Sequence, residues 1–144
     1  MTKKVIIDSI YLKESNIETP HQIEVFDKGI IQVDSDLSCE SKYQNIVVSD
    51  KQCYEVGLFF QIAARSDDLC LYILNFIQSG LFRLEGYKDD QKEEALAIDC
   101  PNILFPYARL HAETITKSTG LAPTIMQEIN FKELYYKEIG KKYE

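Results

Sequence analysis

The chain predicts an α+β fold, an antiparallel sheet of about four strands followed by two C-terminal helices packed on one face. Three observations carry this expectation. Apolar and polar residues alternate over 30–39 and again over 53–65, the period of a half-buried strand. Ser66-Asp67-Asp68 is a compact polar turn, so the long apolar runs on either side of it should pair as a hairpin. Helix signals are concentrated after Pro106. The 144 residues read as one domain, 1–144, large enough to bury a core without disulfides or metal.

Taken in order, 5–12 is β-branched and aromatic and suits a first strand. Residues 13–22 are polar, and Pro20 ends any regular element there. In the second strand, 30–39, Ile31, Val33, Leu37 and Cys39 share one face. Residues 40–51 are polar around Ile46-Val47-Val48 and should contain the turn into the third strand. There Tyr54, Val56, Leu58, Phe60, Ile62 and Ala64 fall on one side. The fourth strand, 69–85, has Ser79-Gly80 within it, which predicts a bulge or bend. A charged connection, 86–94, leads on to the helical part. Tyr107, Leu110, His111, Thr114 and Ile115 fall at helical spacing, and this helix should stop near Gly120. Residues 121–129 form an apolar linker. Asn130 is the expected N-cap of a last helix, with Glu133 completing a reciprocal cap. Phe131, Leu134, Tyr135 and Ile139 make its apolar stripe, ending at Gly140.

Composition narrows the function. A net charge of −7 repels phosphate backbones, so nucleic acid is not an expected partner. No apolar run approaches the ~18 residues needed to span a bilayer, and membrane insertion is not expected. The apolar stretch behind Lys3 and Lys4 is broken by Asp8, Lys13 and Glu14, unlike a secretory signal; the expected address is cytoplasmic. Cys39, Cys53, Cys70 and Cys100 show no C-x-x-C spacing, which argues for buried reduced thiols rather than a metal site. His21 and His111 lack motif partners, and none of the six glycines builds a phosphate-cradling loop. The expectation is a protein without catalytic residues or cofactors.

The most specific string is 100–109, Cys-Pro-Asn-Ile-Leu-Phe-Pro-Tyr-Ala-Arg. Pro106 lacks an N–H, and in a helix its ring would clash with the carbonyl of Asn102. The expected solution starts the helix at Pro106 and makes 100–105 a tight apolar approach. This string closely resembles the signature at the start of the first long helix in SecB, the bacterial protein-export chaperone family. The resemblance extends to Ile10-Tyr11-Leu12-Lys13-Glu14 with Glu18 and Pro20, to Tyr54-Glu55-Val56 with Leu58, to Gln78-x-Gly80-x-Phe82, and to Asn130-Phe131 with Leu134-Tyr135. It departs where the family usually shows Trp and this chain has Ile30, where an acidic strand position is Asn75, and in a short Lys-rich end.

The resemblance implies an ATP-independent chaperone that binds non-native polypeptides in an apolar groove, as a homotetramer built from two dimers. It implies a client-binding groove from Phe26, Ile30, Leu121, Ile125, Met126 and Phe131, and oligomer contacts at Leu74, Phe76 and Gln78. It implies contact with the SecA motor through Glu14 and Glu18, weakened at Asn75. Some relatives serve one antitoxin instead, and an oligomeric structural subunit without chaperone activity is the third reading.

Overall fold

The computed structural model describes residues 2–29 and 32–142, with side chains described as far as Ile139. Its elements are β1 (Lys4–Glu18), α1 (Gln22–Lys28), β2 (Asp34–Val48), β3 (Lys51–Ser66), β4 (Leu69–Glu85), α2 (Asp89–Glu94), a π-helical turn (Ala95–Asp99), α3 (Cys100–Lys117) and α4 (Phe131–Lys142). The strands form one antiparallel sheet in the order β1-β4-β3-β2. The α+β class and the four strands are as the sequence predicts.

The sheet has one covered and one uncovered face. Tyr54, Val56, Leu58, Phe60, Ile62 and Ala64 are all buried, as their alternation predicts. On β4 the same layer continues through Leu74, Phe76, Gln78 and Phe82. Helix α3 closes it with Leu104, Phe105, Ala108 and Ala112.

The strands outrun their apolar segments. β1 continues to Glu18 because Glu14, Asn16 and Glu18 point to the uncovered face, where polar side chains keep their water. β2 and β3 pair without a slip from Asp34↔Arg65 to Val48↔Lys51. Ile46-Val47-Val48 is therefore strand, and the turn is Ser49-Asp50 alone, both at positive φ (52° and 63°). That geometry suits a two-residue hairpin between right-twisted strands. Ile30 and Ile31 lie outside the described residues, and β2 begins only at Asp34.

Ser79-Gly80 is not a bulge: β3 and β4 pair in register there. A Cβ on Gly80 would sit 2.7 Å from the Phe82 ring and 2.9 Å from Leu104, so glycine admits the close approach of α3. The irregular positions are elsewhere. Asp8 and Lys13 are the extra residues in β1, and Leu71 is the extra residue in β4.

The helical part also differs from expectation. The helix does not start at Pro106; it runs through it, with Pro101 in its first turn. Asn102 and Pro106 are exposed, so the carbonyl that loses its partner faces water. The widened π turn just before Pro101 relieves the same conflict at that proline, with the Cys100 N–H reaching back to Ala95 O. The charged connection contains α2, whose start is tied by Lys88 N–H to Gln91 Oε1 at 3.1 Å. α4 begins as predicted, Asn130 Oδ1 accepting from Glu133 N–H at 3.0 Å, but it continues past Gly140.

Candidate functional site

The uncovered face of the sheet is the first candidate surface. Glu14 and Glu18 lie on it with Asn75, as the alternation of β1 against β4 requires. Glu14 and Asn75 border a shallow depression of about 390 Å³, together with Glu40, Phe59, Gln61 and Ile77. Beside it a second depression of about 310 Å³ is bordered by Lys13, Lys42, Gln44, Glu55, Gly57 and Ser79. Glu55 accepts from Lys13 at 2.7 Å, from Gln44 at 3.0 Å and from Tyr11. Those bonds, Lys13 first and Tyr11 next, hold its carboxyl below the usual range. Burial, then the bond to Glu55, keeps Tyr11 protonated. Asp8 and Lys13 point to this face, and Asp8 accepts two bonds from Arg83, at 2.8 and 3.0 Å.

The outer edge of β2 is the second candidate. Among the described residues β2 pairs only with β3, so 15 residues present an open row of backbone N–H and C=O groups. Leu37, Tyr43 and Val47 point to the helical side of the sheet yet stay exposed, because the helices cover β3 and β4 rather than this edge. Between β2 and α4 runs a groove of about 190 Å³, lined by Cys39, Tyr43, Ala97, Phe131, Leu134 and Tyr135, with Glu40, Glu93 and Glu138 at its margins.

The expected groove residues separate into two sets. Phe26 (57% exposed) and Ile125 (80%) are open to solvent, and α1 adds Ile23 (78%), one turn from Phe26, which sequence reading missed. Leu121, Met126 and Phe131 are buried in the core instead. Phe131 packs edge-on to Phe105 at 6.0 Å, which in turn lies 6.4 Å from Phe60. Ile30 is outside the described residues.

The expected oligomer residues do share one face, but that face is covered within the chain. Leu74 and Phe76 are buried beneath α3, Phe76 stacked on Phe60 at 5.0 Å and edge-on to His111 at 4.9 Å. Gln78 is buried too and donates to Tyr11 O at 3.1 Å. These three are core residues of the protomer. The apolar surface left open lies on the outward side of α3, at Tyr107 (50% exposed) and Leu110 (64%). Both fall at the helical spacing read from the sequence, but Ala108 and Ala112 occupy the packed face.

Little here suits bond-making chemistry. His111 Nε2 lies 2.8 Å from Ser15 Oγ, but no described carboxylate bonds the ring's other nitrogen. Burial pushes the Cys39 and Cys100 thiols up to about 12, so both stay protonated and unreactive. Among the described residues no group of His, Cys, Asp and Glu could hold a metal, and no helix is long and apolar enough to cross a membrane.

The family model for preprotein translocase subunit SecB matches residues 1–142. This chain belongs to the SecB family. SecB is a family of non-enzymatic protein-export chaperones. Among similar SecB proteins, the protein-export protein of Dechloromonas aromatica is 30% identical, covering 92% of this chain and 85% of that protein. Those of Neisseria gonorrhoeae (31% identical, 92% and 88% covered) and Hahella chejuensis (32%, 94% and 82%) are similar to the same degree. The fold matches the SecB-like chaperone of Mycobacterium tuberculosis, solved in complex with a ChAD peptide from an antitoxin. That match has a TM-score of 0.71 at 16% identity and covers 87% of this chain and 90% of that one.

Proposed function

We propose that this SecB-family protein holds non-native polypeptides in extended form, without nucleotide, and keeps them competent for export or folding. The open 15-residue edge of β2, flanked by exposed Leu37, Tyr43 and Val47 and by the groove along α4, carries this reading. An edge that pairs through backbone groups accepts any extended sequence. Each such hydrogen bond contributes about 0.5–1.5 kcal/mol net, and apolar burial adds about 25 cal/mol per Å². A folded protein offers neither a free strand nor loose apolar side chains. Exposed Ile23, Phe26 and Ile125 extend the apolar surface available to a client.

The test is suppression of aggregation of a chemically unfolded client in the absence of ATP. The same client, once folded, should be ignored, and replacing Leu37 and Val47 with Asp should weaken capture. Equal affinity for folded and unfolded client, or for neither, defeats the reading.

A dedicated antitoxin client is the second reading, favoured by the shared fold with a SecB-like chaperone that holds an antitoxin peptide. It requires one peptide to bind far more tightly than unrelated unfolded chains. A competition series with unrelated unfolded chains separates the two.

A further inference from the structure

The open edge of β2 presents its free backbone groups and its apolar side chains on the same residues. The turn into β3 is Ser49-Asp50, both at positive φ, so Val48 and Lys51 close it as a hydrogen-bonded pair. Opposed residues of antiparallel strands alternate between bonded and non-bonded pairs. β2 and β3 pair without a slip, so the even-numbered residues from 34 to 48 direct their N–H and C=O groups at β3. The odd-numbered residues from 35 to 47 turn theirs to the open edge. The side chains of these odd residues lie on the helical side, where Cys39 and Tyr43 line the groove with Phe131, Leu134 and Tyr135. On the other side of β2 stand Asp34, Asp36, Ser38, Glu40, Lys42 and Gln44, all polar. A strand added here continues both faces. Its residues opposite the odd positions share the helical side, and those between them join the polar row.

We infer that this edge selects clients by pattern: it takes, antiparallel to β2, segments in which apolar and polar residues alternate, the apolar ones exchanging hydrogen bonds with Leu37, Cys39, Ser41 and Tyr43. This deepens the holding activity proposed above and rests on it. Backbone pairing ignores side-chain identity, but a slip of one residue carries every apolar side chain from the groove to the polar face. A slip of two restores the match, so one segment has several equivalent seats. Antiparallel pairing is the more stable per residue. The client class is therefore the segments that become half-buried strands in their own folded proteins, since these carry the same alternation. Segments of equal composition with helical spacing do not fit.

The experiment uses the full chain and fluorescent peptides of one composition, Leu, Tyr, Ser and Gln, long enough to span 35–47. Apolar and polar residues alternate in one peptide and fall at helical spacing in the other. The alternating peptide should bind at least about tenfold more tightly, the effect of one or two bonds with their apolar contacts. N-methylating its apolar residues should weaken binding at least about tenfold. N-methylating its polar residues should change little, because their N–H groups point away from β2. Ser41→Pro removes an outward N–H and no bond to β3, so it should keep the wild-type denaturant midpoint and bind the alternating peptide about three- to tenfold more weakly. The methylated peptides test the same bonds without altering the protein. Capture of unfolded, reduced and carboxymethylated α-lactalbumin reports holding separately. If that client is held while the two peptides bind equally, or not at all, the pattern is overturned and holding stands. Sensitivity at the polar residues instead marks a parallel strand and overturns the antiparallel seat. Capture of neither client nor peptide removes the holding activity and the pattern with it.

Discussion

At Gly80 the sheet and α3 come close together, and the missing Cβ permits it. A side chain there would need room already taken by the Phe82 ring and Leu104, both fully buried and unable to move aside. Gly80→Val should cost about 1–3 kcal/mol of stability through overpacking, read as a lower denaturant midpoint at unchanged m-value. His111 has a different sensitivity. Burial against Phe76 lowers its pKa from the ordinary 6.5, so the folded state favours the neutral ring. For a depressed pKa the stabilising contribution is present above 6.5 and is lost as pH falls toward the folded value. Denaturation at about pH 7.5 and about pH 5.5 should show the drop, and His111→Gln should make it smaller.

At the level of elements, the segment joining α3 to α4 separates core from surface residue by residue. Met126 is buried and Ile125 beside it is 80% exposed. Met126→Glu puts a carboxylate into an apolar site and should cost several kcal/mol or abolish folding, by roughly 3–5 kcal/mol for an uncompensated buried charge. Ile125→Glu should leave the unfolding free energy within about 0.5 kcal/mol of wild type, as for other surface changes. Near-equal loss in the two variants, read by thermal unfolding, would contradict this division of the segment. Pro106 shows the same division in α3. The exposed side there tolerates a missing hydrogen bond because water replaces it, while Leu104, Phe105 and Ala108 stay packed on the buried side.

For the whole molecule, we expect assembly and motor docking to use separate surfaces. Tyr107 and Leu110 stand on the outward face of α3, and β1 is a sheet edge like β2, so a protomer leaves apolar and backbone groups to cover. We expect light scattering to give about four times 16.6 kDa, and Leu110→Asp to shift the population to smaller species. A wild-type monomer at all concentrations would refute this. On the uncovered sheet face lie Glu14, Glu18 and Asn75, the residues that the resemblance leads us to expect at a SecA contact. Exposed charge pairs are each worth about 0–1 kcal/mol, so Asn75→Glu should strengthen SecA binding by up to about tenfold and steepen its salt dependence. Tight wild-type binding that Asn75→Glu does not alter would count against the charge argument.

What the sequence alone determined is what local geometry dictates. Strand alternation in 53–65 identified the buried side chains of that segment apart from Cys53, Asn130 identified the start of the last helix, and the 100–109 string identified the family. These depend on the fixed period of a strand, on one cap bond and on a rare arrangement of prolines. The tertiary structure decided which of several apolar surfaces is covered, because that depends on the element lying above and not on the residue itself. It put Ala108 rather than Tyr107 and Leu110 on the packed face of α3, placed Leu74, Phe76 and Gln78 in the core, and buried Leu121, Met126 and Phe131 while leaving Phe26 and Ile125 open. It also carried α3 through Pro106, since a helix whose exposed side faces water can lose one hydrogen bond, about 3 kcal/mol, when its other side closes a core.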